Sequence, residues 1–129
     1  MSESTTAERL REIMEERALR QTDLLAICKP LCEKYGVKIG RSDLSQYLSG
    51  KYVPRRNKVH VLALALGVNP GWLLGYDVDS KPRWMQDSDL SEKECEIVYN
   101  LRLLNDEGQD KASEFINMLN MTGKYKNGS

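Results

Sequence analysis

Residues 41–51 read Arg-Ser-Asp-Leu-Ser-Gln-Tyr-Leu-Ser-Gly-Lys. Folded as a helix, this segment turns Leu44 and Leu48, four apart, toward a core and leaves Arg41, Ser42, Ser45 and Gln46 outside. Arginine offers parallel donors that fit the acceptor edge of guanine, and the glutamine amide fits the donor–acceptor edge of adenine, both in the major groove. Gly50 stands where a left-handed cap ends such a helix. The charge around it is one-sided. Lys34, Lys38, Arg41, Lys51, Arg55, Arg56 and Lys58 face only Asp43 between residues 34 and 58, a net of 7 − 1 = +6. Docking on phosphates responds to such a local patch more than to whole-chain charge, which is zero here. Each feature alone has a plainer reading: two leucines four apart make any buried helix face, and a basic run makes any solvated loop.

Other chemistries find less support. Cys28, Cys32 and Cys95 are three thiols, and the single histidine is His60. A structural zinc needs four well-spaced ligands, so these cysteines are expected to be ordinary thiols in or near a core, and no metal is expected. No GxSxG, P-loop, HExxH or GxGxxG pattern occurs. The chain is expected not to be an enzyme and to need no cofactor, and nothing marks a pocket for a small-molecule ligand.

The elements that must carry these residues are all helical, since no stretch alternates long enough for a sheet. A first helix is expected from about Ala7 to Ala18, opened by Thr5 and Glu8 at capping-box spacing. A second begins near Gln21 with Leu24, Leu25 and Ile27 or Cys28 inward, and Pro30 should kink or end it. Residues 35–40 form a turn-rich connector that Val37 and Ile39 anchor. After the helix at 41–50 and a loop at 51–54, Asn57 is the expected cap of a helix carrying Val59, Leu62, Ala63 and Leu66. Asn69-Pro70 starts a short helix through Trp72, Leu73 and Leu74. His60 is expected as a half-exposed helix residue, and Trp72 and Trp84 as core or interface.

In this order the fragments resemble a known family. Gln21-Thr-Asp-Leu-Leu25, Ser42 to Lys51, Pro54, Val61 to Asn69, and Trp72-Leu-Leu-Gly-Tyr-Asp77 are similar to the helix-turn-helix domain of the phage lambda repressor and Cro, the XRE type, over residues 7–77. The resemblance implies a five-helix, all-α DNA-binding domain and double-stranded DNA as partner. It implies base reading by Arg41, Ser42 and Gln46. It implies backbone contacts from Gln21, Ser45, Lys51 and the cluster Arg55, Arg56, Asn57 and Lys58. Tyr47 joins this backbone set as a candidate for stacking on the sugar–phosphate edge, as does Tyr52; both are equally candidates for half-buried packing. The chain departs from the pattern between Ile27 and Arg41, where about nine residues exceed the usual short turn. Lys29, Lys34 and Lys38 in this insertion are either further phosphate contacts or solvated.

Residues 78–89 lose periodicity and read as a linker between a domain at 1–77 and a helical segment at 90–129. Ser91 and Glu94 form another capping box ahead of Ile97, Val98, Leu101 and Leu104, and a last helix carries Ala112, Phe115, Ile116 and Leu119. Two short amphipathic helices do not bury both apolar faces alone. Ile97, Leu101, Leu104, Phe115, Ile116 and Leu119 are therefore expected to dimerise; packing on residues 7–77 is the alternative. Some fifty helical residues leave no room for a self-cleaving β-rich domain. Without an apolar leader or spanning run the chain is expected to be cytoplasmic, with no membrane contact. Three functions fit: a dimeric bacterial or phage transcriptional regulator, most simply a repressor on a palindromic operator; a DNA-binding antitoxin; or a protein-interaction module.

Overall fold

Thr5 accepts the amide hydrogen of Glu8 at 3.2 Å and so opens the first helix, α1, Thr6–Glu16. The computed structural model describes residues 4–86 and 89–127. Among them every regular element is a helix: α2 Gln21–Tyr35, α3 Arg41–Ser49, α4 Arg56–Leu66, α5 Pro70–Leu73, α6 Arg83–Gln86, α7 Glu92–Arg102 and α8 Asp106–Met121. The all-α class expected from periodicity is what the chain adopts. None of these helices is long and apolar enough to cross a membrane.

The chain divides into two compact units, residues 1–90 and 91–129. In the first, α4 is the central element, with Val59, Val61, Leu62, Ala63, Ala65 and Leu66 all buried. It packs on α2 and α5, while α1 packs on α3 and α5. Leu10, Leu24, Leu44, Leu62, Leu66 and Leu73 are the large fully buried side chains that join the five. Each contributes about 1.5–3 kcal/mol by leaving water, which is what holds helices this short in place.

Several expectations change. Pro30 neither ends nor breaks α2, which runs on to Tyr35. Proline removes the amide that would bond the carbonyl of Ala26 one turn back. Ala26 and Pro30 are both exposed, so that carbonyl stays open to water and costs little. The extra residues thus lengthen α2, and Gly36 closes it in the left-handed region. Asn57 is not the cap of α4; Arg55 takes that position without a side-chain bond, and Asn57 lies inside the first turn. α1 ends earlier than expected, Ala18 turning at a φ of +53° while Leu19 donates to the Met14 carbonyl at 2.8 Å. Segment 78–86 is not a bare linker: it holds α6, and the Ser80 carbonyl accepts the Asn69 amide at 2.8 Å. Residues 87 and 88 of the expected linker, 128 and 129 of the tail and 1–3 of the first domain lie outside the described residues.

In the second unit Ser91 and Glu94 exchange bonds of 3.1 and 2.9 Å, the expected capping box at the start of α7. Hydrogen bonds from the Ser91 backbone amide and from its hydroxyl hold the Glu94 carboxyl below its usual range. Asn105 caps α8 by accepting from Gly108 at 2.8 Å. Gln109 reaches back to the carbonyls of Leu101 and Leu104, both at 3.2 Å, and ties α8 to the end of α7. Neither helix buries any side chain fully.

Because Pro30 interrupts a helix that continues past it, Pro30→Ala restores one backbone bond. Alanine gains about 3 kcal/mol in helix preference and gives up about 1 kcal/mol of unfolded-state restriction. Thermal and urea unfolding should show a variant more stable by about 1–2 kcal/mol; an unchanged or lower midpoint would mean that α2 is locally adapted to the proline.

Candidate nucleic-acid interface

α3 has nine residues and is fixed at both ends. At its start the Asp43 carboxylate accepts the Gly40 amide at 2.8 Å. At its end Gly50 turns at a φ of +82°, and the Lys51 amide bonds the Gln46 carbonyl at 3.0 Å. A side chain at position 50 would sit in a backbone conformation that only glycine adopts readily.

At about 100° per residue, Arg41, Ser42, Ser45 and Gln46 span an arc of about 140°, while Leu44, Tyr47 and Leu48 share a separate arc of about 100°. The burial follows this division. Leu44 is fully buried and Tyr47 is 5% exposed. Arg41, Ser42 and Ser45 are exposed, and Gln46 is half-exposed. Two expectations need correcting. Tyr47 is a core residue and cannot lay its ring on a sugar–phosphate edge, and Leu48, expected inward, is only half-buried. The helix meets the core with Leu44 and Tyr47, three apart on one face. The other aromatic candidate, Tyr52, is 54% exposed, with the Lys51 ammonium 5.7 Å from its ring centre.

The remaining predicted contacts sit on neighbouring segments. Gln21 is the first residue of α2 and is exposed, as are Lys51, Arg55, Arg56 and Asn57. Lys58 is half-buried and lies close enough to the Cys32 thiol to favour its charged form, so it is turned toward α2. Of the lysines in the long α2 and its connector, Lys29 and Lys38 line an open cleft of about 640 Å3 between the last turns of α2 and residues 36–40. Lys34 lies 5.6 Å from the centre of the Tyr35 ring. His60 is exposed and meets Tyr35 edge-on at 5.0 Å, a contact between α2 and α4. Trp72 is half-buried beneath the Arg9 guanidinium, 4.7 Å from its ring centre.

One set of residues escaped the reading of the sequence. Arg11 of α1 donates to the Leu48 carbonyl of α3 at 2.8 Å. Arg9 donates to Trp72 at 3.2 Å, and Arg17 donates to the carbonyl of Leu66. No local signal finds them, because the partners are 37, 63 and 49 positions away.

The thiols are placed by packing. Cys28 is 1% exposed, and burial pushes its pKa up to about 12, with Cys32 adding to the shift. Burial also raises Cys32, which is half-buried, against a hydrogen bond to the backbone of Ile39. No protein-family model and no curated protein matches the chain.

The buried thiol gives a pH test of the core. Its folded value lies above the ordinary 9.0, so its contribution is complete below pH 9 and is lost as pH rises toward 12. In that window stability should fall by about 1.4 kcal/mol per pH unit from this group alone. Urea midpoints measured from pH 8 to 11 should fall less steeply for Cys28→Ala than for the native chain; parallel curves would mean that the thiol titrates as it does in water.

Proposed function

We propose that this chain is a sequence-specific DNA-binding transcriptional regulator that reads the major groove with α3. The observation that carries the reading is the split surface of α3: its apolar side is locked into the core, and Arg41, Ser42 and Gln46 stand on the other side. These are side chains with the donor and acceptor geometry of base edges. Exposed Gln21, Lys51, Arg55 and Arg56 supply groups for the flanking phosphates, and Ser45 shares the outer face. The XRE-type assignment rests on the sequence resemblance to a lambda-repressor-like helix-turn-helix domain, of which α2 would be a lengthened second helix.

The reading includes a homodimer. Ile97, Phe115 and Ile116 are 51, 57 and 50% exposed, Leu104 is exposed, and Leu101 and Leu119 are half-buried. A second copy covers such a face symmetrically, and its twofold axis matches a palindromic operator. A dimer bound over a promoter acts as a repressor. If this apolar face is instead held by a different protein, the antitoxin reading takes precedence.

Two outcomes follow. With DNA selected from a random pool, Arg41→Ala and Gln46→Ala should each lose about 1–3 kcal/mol for the selected site and relax its sequence preference. Lys51→Ala should instead weaken binding to all sequences and lower the salt slope by about one. Unchanged affinity in Arg41→Ala would place the reading face elsewhere. For the dimer, Phe115→Glu with Ile116→Glu alters only exposed side chains, so the helices remain while light scattering should shift from dimer to monomer. A native chain that is already monomeric would sink the dimer.

A further inference from the structure

Arg11 is exposed, yet its guanidinium is committed to a backbone carbonyl of another helix. It belongs to a set. Arg9, Arg11 and Arg17 lie on or just after α1, and each donates to a carbonyl in the last turn of a different helix: Trp72 in α5, Leu48 in α3 and Leu66 in α4. Carbonyls at a helix C-terminus lack partners within the helix and carry its partial negative charge, so a guanidinium there satisfies both needs. In α3 the Gly50 turn already uses the carbonyls of Gln46 and Tyr47, and the Arg11 bond takes that of Leu48.

On the reading that α3 contacts bases, we infer that Arg11 is a positioning residue for DNA recognition, acting through the angle of α3 and not through contact with DNA. Leu44 and Tyr47 hold the middle of the helix against α1 and α2 from its buried side, which leaves it a direction in which to rock. The Arg11–Leu48 bond fixes the C-terminal end against α1. α3 is about 13 Å long, so without that bond a tilt of about 10° about its packed middle moves Arg41 by about 1 Å. A bidentate contact to guanine tolerates a few tenths of an ångström, since hydrogen bonds span only about 2.7–3.2 Å. A bond far from the bases thereby decides whether Arg41 reaches its partner.

The test compares Arg11→Gln, whose amide is too short to reach Leu48, with Arg11→Lys, which keeps charge and most of the reach, in the full-length chain. Binding to the selected site and to a scrambled duplex is measured across a salt series, and the carbonyl carbon shift of Leu48 is followed by NMR. Arg11→Gln should bind the selected site about 5–20-fold more weakly, bind the scrambled duplex as the native chain does, and keep the native salt slope, while the Leu48 shift moves. Arg11→Lys should recover most of the loss. Undiminished specific affinity in Arg11→Gln overturns the inference. So does a loss shared by both duplexes with a salt slope lower by about one, because Arg11 would then be touching phosphate. If the native chain binds no DNA, the reading of α3 fails; a Leu48 shift that moves in Arg11→Gln would still show that the bond to α3 is made.

Discussion

A nine-residue helix does not persist in water on its own, because its few hydrogen bonds do not repay the ordering of its backbone. α3 therefore exists only as far as the core holds it, and the core holds it through Leu44 and Tyr47. That burial decides more than stability. Side chains on a helix are fixed relative to one another, so choosing which two go inward also chooses which go outward. Arg41, Ser42 and Ser45 are presented because Leu44 and Tyr47 are hidden. On the proposed function, the recognition face is the complement of a packing decision.

The rest of the first unit serves that decision. α4 supplies an almost wholly apolar surface, and α2 and α5 lie against it. α1 contacts α3 directly and adds three guanidinium groups that end α3, α4 and α5. The insertion between Ile27 and Arg41 does not disturb this arrangement. It is absorbed by about one and a half further turns of α2 beyond Pro30 and by a five-residue connector anchored by buried Val37. The resulting surface adds Lys29 and Lys38 along a cleft whose connector side leads directly into α3.

The second unit obeys a different balance. Its caps are complete at Ser91 and Asn105, so local hydrogen bonding specifies where α7 and α8 begin. Its packing is not complete: a two-helix pair has one mutual face, and the apolar residues around Phe115 and Ile116 lie outside it. Local signals strong enough to define helices do not supply enough buried area to satisfy them. A covering surface is what the dimer proposal provides.

What the sequence determined by itself was whatever acts over one or two turns. Periodicity located every helix but α6, Thr5, Asn69 and Ser91 marked where three of them start, and Gly50 marked where one stops. The outward group on α3 was legible for the same reason, since a 3.6-residue period is a local property. What only the tertiary structure decided was which of several locally equal options the packing selects. Tyr47 and not Leu48 enters the core with Leu44, a choice between two positions of one arc that is made where α3 packs on α1 and α2. α2 survives Pro30 because the carbonyl it orphans belongs to an exposed residue, Ala26. Arg55, and not the better-suited Asn57, takes the cap position of α4, which starts two residues earlier than its local signal. The bonds from Arg9, Arg11 and Arg17 join residues tens of positions apart, and no pattern along the chain encodes a distance that exists only once the helices have packed.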